Sequence, residues 1–349
     1  MKLFNGLRKT FIASIIIASV AVEANASTTG GKSTLTLEQA VSRAITSCDK
    51  KTVYGSYLSA YEEITKYNQD YFSASFRNNK LQESKNKFSM EHINEKIAYD
   101  ATDTYLSVVL LHQQIDMAQN NIAVAEKQLR QLQIKKEKDA ASQLECSICE
   151  ENLVAAKANL VALEKSLENE VMEFKNLTHM DINSYELETT FEMKPVVIEG
   201  AISSYFDKSL QAYYYLQEEA INIGQLNKVD MFDVTLGEYS LQEANIINSE
   251  YNLKSQKESM LTTLMSYYNS LDGLQAQIIA CNTKINSNKE NLRVQEIRYN
   301  NGYISELEYE KALLQGKSLE CDKLSTIKTY ITTKMMVENP NILAMQYLG

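Results

Sequence analysis

The stretch Arg298-Tyr299-Asn300-Asn301-Gly302-Tyr303-Ile304-Ser305-Glu306-Leu307-Glu308-Tyr309 holds one of only 11 glycines in a chain of 349 residues. Gly302 stands where a helix ends in a left-handed cap. Ser305 and Glu308, three positions apart, match the capping box that starts a following helix. The pattern also stands 163 residues earlier, where Ser142-Gln143-Leu144-Glu145 follows Lys138-Asp139-Ala140-Ala141. Two helix–turn–helix reversals at one offset are therefore expected.

Outward from these turns the period is helical. Ile115, Ala118, Ile122, Ala125, Leu129 and Leu132 recur at alternating spacings of three and four. Leu153, Ala156, Leu160, Leu163, Leu167, Val171 and Phe174 do much the same. Such spacing draws a narrow apolar seam along one helix face, as in a coiled coil. Ile278, Cys281, Ile285, Asn288 and Leu292 keep the rhythm with a polar interruption. The pattern predicts helices over 91–137, 143–177, 256–300 and 306–337.

Further matches extend the repeat. Asp70-Tyr71-Phe72-Ser73-Ala74-Ser75-Phe76 resembles Asp230-Met231-Phe232-Asp233-Val234-Thr235-Leu236, and Leu81-Gln82-Glu83 recurs as Leu241-Gln242-Glu243. Glu38-Gln39-Ala40-Val41 matches Glu199-Gly200-Ala201-Ile202. The unit is half the chain, so the pattern is an old duplication and not a short-repeat solenoid. The expected organisation is a signal peptide over 1–26, a polar linker over 27–34 and a first repeat over 35–180. A linker over 181–198, a second repeat over 199–338 and a tail over 339–349 complete it.

Composition agrees. The 11 Gly and 2 Pro compare with roughly 40 for average usage over this length, and these residues punctuate turns. Sandwiches, propellers and α/β barrels are excluded. With 44% hydrophobic residues, so is disorder. The expected fold is all-α dominated, with long antiparallel coiled-coil helical hairpins in two tandem structural repeats. At most, short β-strands stand at one end.

Residues 1–26 have the layout of an export signal. Lys2, Arg8 and Lys9 precede an apolar run from Phe11 to Val22, and Ala24-Asn25-Ala26 supplies a small-x-small cleavage site. Cleavage removes three of 35 basic and one of 45 acidic side chains, moving the net charge from −10 to −12. So acidic a chain is no nucleic-acid binder, because phosphate contacts need clustered Lys and Arg. Ala26 to Ser33 fits a loosened phosphate-loop pattern, but no strand precedes it and cleavage would cut it. A polar mature N-terminus is the better reading, with no ATP hydrolysis.

Nothing points to catalysis, a cofactor or a metal. His92, His112 and His179 are scattered, and no second Cys pair completes a zinc pattern around Cys146 and Cys149. That C-x-x-C falls on a predicted helix, as packing residues would. Cys281 and Cys321 fall on or near seams. Tyr213-Tyr214-Tyr215 spreads around a helix, which fits packing between neighbours with hydroxyls reaching water.

With these residues in view, the sequence resembles the TolC-like outer membrane efflux family, as a barrel-reduced member. Leu35-Thr36-Leu37-Glu38-Gln39-Ala40-Val41 is similar to that family's opening motif after the signal. Arg298 to Tyr309 is similar to its periplasmic helix–turn–helix tip. The resemblance implies a homotrimer whose helices enclose a tunnel, working passively with an inner-membrane transporter and a periplasmic adaptor to export small molecules or proteins. It implies a place in the outer membrane and periplasm, or in a cell envelope without a standard outer membrane. By position, Ala140, Ala141, Ser142, Gly302, Tyr303, Ile304 and Ser305 would face the adaptor. Tyr299, Glu308 and Glu145 would stand at the pore entrance. Ile304 and Lys311 depart from the charged gate of some members.

The family's membrane hairpins have weak counterparts. Phe72, Ala74 and Phe76 alternate, as do Phe232, Val234 and Leu236, but the segments 67–90 and 228–255 are too short and polar for full transmembrane strands. A truncated or absent barrel is expected. The competing reading is a secreted structural or adhesive coiled-coil protein without transport activity.

Overall fold

The computed structural model describes residues 32–67, 71, 73–228 and 235–348. The export signal over 1–26, most of the linker 27–34, and Phe72, Phe232 and Val234 lie outside the described residues.

Short helices α1 (Leu37–Ser47) and α2 (Asp49–Tyr67) precede the long α3 (Ala74–Glu137) and α4 (Gln143–Thr178). A 3-10 turn at Ile182–Ser184 and extended chain lead to α5 (Ile202–Leu226), α6 (Leu236–Asn300) and α7 (Glu306–Glu338), followed by α8 (Asn341–Met345). Long helices come in matched pairs: α3 has 64 residues and α6 has 65, while α4 has 36 and α7 has 33. At 1.5 Å per residue, α3 runs about 96 Å. Among the described residues no helix is long and apolar enough to cross a membrane.

The four predicted helices are present. Their C-terminal ends match closely, but α3 and α6 begin earlier than the seams indicate. Segments 74–90 and 236–255 contain no Pro and one Gly, Gly237, so nothing interrupts the helix. Local caps start it. The Ser73 hydroxyl accepts the Phe76 N–H at 3.1 Å. Thr235 and Glu238 form a reciprocal box, with Thr235 N–H donating to the carboxylate at 2.9 Å and Glu238 N–H donating to the hydroxyl at 3.2 Å. Six positions separate α2 from α3 and nine separate α5 from α6. Two membrane strands need about 18 to 22 residues.

The described chain forms two compact units. The first takes residues up to Ser42, Ala101–Glu192 and Asp272–Ile331; the second takes Arg43–Asp100, Met193–Leu271 and Thr332 onward. Each draws on both sequence copies.

In the first unit, Leu35, Ala40, Tyr105, Leu106, Val109, Phe174, Ile182 and Leu324 make one buried cluster. Beside it, β1 (Thr34–Leu35) pairs in parallel with β2 (Glu186–Leu187). Tyr105, at the middle of α3, joins the two strands. Its buried hydroxyl donates to Leu35 O at 2.6 Å and accepts the Glu188 N–H at 2.9 Å. Burial pushes its pKa up to about 12, so the hydroxyl stays a donor.

In the second unit, Phe206, Leu210, Met260 and Leu264 are fully buried. Tyr213 lies 6.3 Å from the Phe88 ring, and Tyr205 donates to Glu338 O at 2.5 Å. The tyrosine run does spread around its helix: Tyr213 and Tyr214 are buried and Tyr215 is exposed. The Tyr213 ring is wholly covered, so its hydroxyl does not sit in water as expected.

Tyr105→Phe keeps the ring but removes both hydroxyl bonds, leaving Leu35 O and the Glu188 N–H only their bond to each other at 3.2 Å. It should lower stability by about 1–3 kcal/mol, read as a fall in the urea midpoint with unchanged helical dichroism.

Candidate functional site at the hairpin turns

Both predicted turns lie in the first unit, and their backbones close by one hydrogen-bond scheme. At the second turn, Tyr303 N–H donates to Arg298 O at 2.8 Å and Gly302 N–H to Tyr299 O at 2.9 Å. At the first, Ala140 N–H donates to Lys135 O at 2.8 Å and Asp139 N–H to Lys136 O at 3.0 Å. These are Schellman closures, which satisfy the last carbonyls of a helix. The pivot adopts positive φ in each: 73° at Gly302 and 54° at Asp139. Glycine takes that conformation freely, whereas an L side chain crowds its own carbonyl. Sequence reading identified Gly302 and missed Asp139, whose only signal is the tolerance of Asp for the left-handed region.

The next helix starts from a capping box in each case. Ser142 N–H donates to Glu145 Oε2 at 2.7 Å, and Glu145 N–H returns to Ser142 Oγ at 3.1 Å. The Ser305–Glu308 distances are 2.8 and 3.3 Å. The backbone N–H of each serine, and then its hydroxyl, holds the glutamate below the ordinary carboxylate range. Both glutamates are thus occupied by the local backbone while remaining exposed.

Around this shared frame the turns differ. Tyr303 is 78% exposed, Ala140, Ser142, Gly302 and Ser305 are exposed, and Ala141 and Ile304 are half-buried at equivalent positions. Tyr299 stacks on Tyr309 across the second turn, with ring centroids 5.2 Å apart and planes 4° from parallel. The corresponding residues of the first turn are Lys136 and Cys146, and Cys146 is buried. Ring stacking spans the second hairpin's mouth, where the first has a buried thiol.

Charged contacts link α3 to α7 in this region. Lys127 donates to Glu306 at 2.7 Å and Glu310 at 2.5 Å, and these two carboxylates keep its ammonium pKa above the ordinary value. Lys317 reaches Asp116 at 2.5 Å and Lys328 reaches Asp103 at 3.1 Å. No local spacing announces partners so far apart in sequence. Between α6 and α7, a Cβ at Gly316 would lie 2.8 Å from Asn288 Nδ2, so the glycine admits the amide that interrupts the seam. Among the described residues, no group of three or more His, Cys, Asp or Glu is placed to hold a metal, and all five cysteines are free.

Two stacked pairs of long helices, each closed by a capped turn, define the TolC-like fold of outer membrane channels. The chain is similar to the outer membrane channel CmeC of Campylobacter jejuni, with a TM-score of 0.59, 12% identity, and coverage of 88% of this chain and 85% of that one. It is similar to CusC at 0.57 and 9% identity, covering 86% and 90%. A membrane protein from Pseudomonas aeruginosa gives 0.55 and 11%, covering 88% and 93%. No family sequence model and no curated protein sequence matches the chain. The likeness is one of fold.

Gly302→Ala should lower stability by about 1–2 kcal/mol, read as a fall in the urea midpoint, while Asp139→Gly should leave the midpoint unchanged or raise it. The box glutamates carry a pH prediction. Their folded pKa values are depressed, so their stabilisation is complete above the unfolded carboxylate pKa and is lost as pH falls through the folded values. Hydrogen exchange over 138–146 and 301–309, corrected for intrinsic rates, should accelerate on acidification below about pH 4.3; a Glu145→Gln/Glu308→Gln double variant should flatten that response.

Proposed function

We propose that the chain is a passive, trimeric export conduit of the cell envelope, its helices forming a tunnel fed by an inner-membrane transporter through a periplasmic adaptor. The observation that carries this reading is the pair of equivalent capped turns in one chain. Two hairpins per subunit, repeated three times, supply six matched tips for a closed ring. A single structural coiled coil has no use for two hairpins of equal reach. Solved channels of this fold support the same conclusion.

In this reading Ala140, Ala141, Ser142, Gly302, Tyr303, Ile304 and Ser305 form the adaptor-facing surface, with Tyr303 its most protruding side chain. Tyr299, Glu145 and Glu308 border the pore entrance, and Lys127 ties the two hairpins together just behind it. The two glutamates serve the caps first, and the charge they leave exposed lends the entrance its acidic character. Energy comes from the transporter, so the conduit needs no nucleotide or catalytic group. The organisation is that of signal peptide, two repeats, intervening linker and tail.

The far ends qualify the location. Helices start at Ala74 and Leu236, where barrel-bearing relatives would place strands, so the conduit is barrel-reduced and meets its outer boundary through helix ends.

The mature chain in mild detergent should have the mass of a trimer by light scattering; a monomer or dimer would return it to the structural coiled-coil reading. Photocrosslinkers at Ala141 and Tyr303 should capture a coiled-coil hairpin of an adaptor in envelope preparations. Capture confined to 73–90 would sink the assignment of the tips.

A further inference from the structure

Helix α2 is 19 residues long and buries none of them. One of its faces is engaged within the second unit. The Thr65 hydroxyl donates to Glu83 at 2.6 Å, and a Cβ at Gly55 would lie 3.9 Å from Met90. The other face carries Val53, Tyr57, Ala60, Ile64 and Tyr67, at successive spacings of four, three, four and three. That is the a/d pattern of a coiled-coil seam, which calls for a facing helix surface. Here it faces solvent: Val53, Tyr57, Ile64 and Tyr67 are 50%, 56%, 45% and 71% exposed.

The same unit has a slot of matching size. Helices α5 and α6 flank an open cleft of about 740 Å³. Its lining includes the apolar Ile221, Ile246 and Leu253 together with the amides Gln217, Gln242 and Gln256. On α6 it extends from Gln242 to Gln256, about 21 Å of helix. The stripe from Val53 to Tyr67 spans the same fourteen steps. At mid-length the cleft is bordered by Gly224 and Ser249, and a Cβ at Gly224 would meet nothing within 4 Å. Small residues there admit a helix backbone.

The direction is fixed too. Arg77, in the first turn of α3 just beyond α2, donates through Nε to Asn227 Oδ1 at 3.1 Å, and Asn227 caps α5. Helices α2 and α5 therefore end at the same end of the unit. Laid parallel to α5, the stripe places Tyr67 near Gln242, Ala60 near Gly224 and Ser249, and Val53 near Gln256.

We propose that the α2 stripe of one copy docks in the α5–α6 slot of a second copy. The contact is heterologous, stripe on slot, so each copy offers both surfaces and the series ends only when a ring closes. This rests on the conduit reading and names the surfaces that join its subunits.

The test uses the full mature chain in mild detergent, carrying Ala60→Cys and Ser249→Cys together, with copper phenanthroline as oxidant. Thiols on adjacent copies should form disulfides, giving a ladder on non-reducing gels that stops at the trimer. Neither single variant should give it. Tyr57→Glu, on an exposed face of the single chain, should weaken association at least about tenfold, as a charge does when desolvated at an interface, with helix content unchanged. Trimers by light scattering without a 60–249 link overturn this pairing and leave the conduit intact. A monomer at every concentration overturns both. A link confined to one chain overturns the pairing, because α2 then covers its own slot. So does association only with an added second polypeptide that links through position 60.

Discussion

A narrow apolar seam is what every long helix here depends on. Helices of 64 and 65 residues expose most of their surface, so no single core holds them. Two positions in seven must do it, repeated along the length. That constraint explains the composition. Gly and Pro are scarce because each would break a seam, and the polar positions between seam residues are free to carry charge. It also explains the Asn288–Gly316 contact, where one helix gives up its Cβ so that an amide in the seam of the next has room. Salt bridges such as Lys317–Asp116 lie outside the seam, exposed, where such pairs contribute about 0–1 kcal/mol each. They select which helices lie side by side more than they hold them.

A seam cannot turn the chain, and that task falls to the tips. There the same backbone solution is used twice with different residues. Gly302 and Asp139 occupy one conformation, and Ser305–Glu308 and Ser142–Glu145 make one box. Tyr299 and Tyr309 stack where Lys136 and Cys146 stand in the other copy. The hydrogen bonds are the same in both turns, because a helix end left with bare carbonyls and amides is costly. Side chains beyond those bonds differ, so the two turns share one backbone shape and present two chemistries. Glu145 and Glu308 satisfy the backbone of their own helix starts while their carboxylates stay exposed.

The far ends show the opposite behaviour. There the long helices run to Ala74 and Leu236, and Thr235 with Glu238 caps the start as the boxes do at the turns. Ala74 and Phe76, part of an alternation too short and polar for a full membrane strand, stand in the first turn of a helix that carries Leu81 and Phe88 into its packing. Propensity over a few residues lost to burial over many.

The sequence by itself determined the periods and the breaks. The helices over 143–178 and 306–338 end within a residue of where seam and cap residues place them, because both signals are local: a side chain and the backbone three or four positions away. For the same reason Ser142, Glu145, Gly302, Ser305 and Glu308 were legible as tip residues. Asp139 was not, since Asp signals many conformations and only the closed turn selects the left-handed one. Neither were Lys127 with Glu306 and Glu310, the Tyr105 bridge between Leu35 and Glu188, nor the bare stripe of α2. Each depends on which helix faces which across 70 to 180 positions of chain. Side-chain spacing records that a face is apolar but not what covers it. Only packing decides that, because the partner is chosen by shape and distance in space, and neither has a local trace.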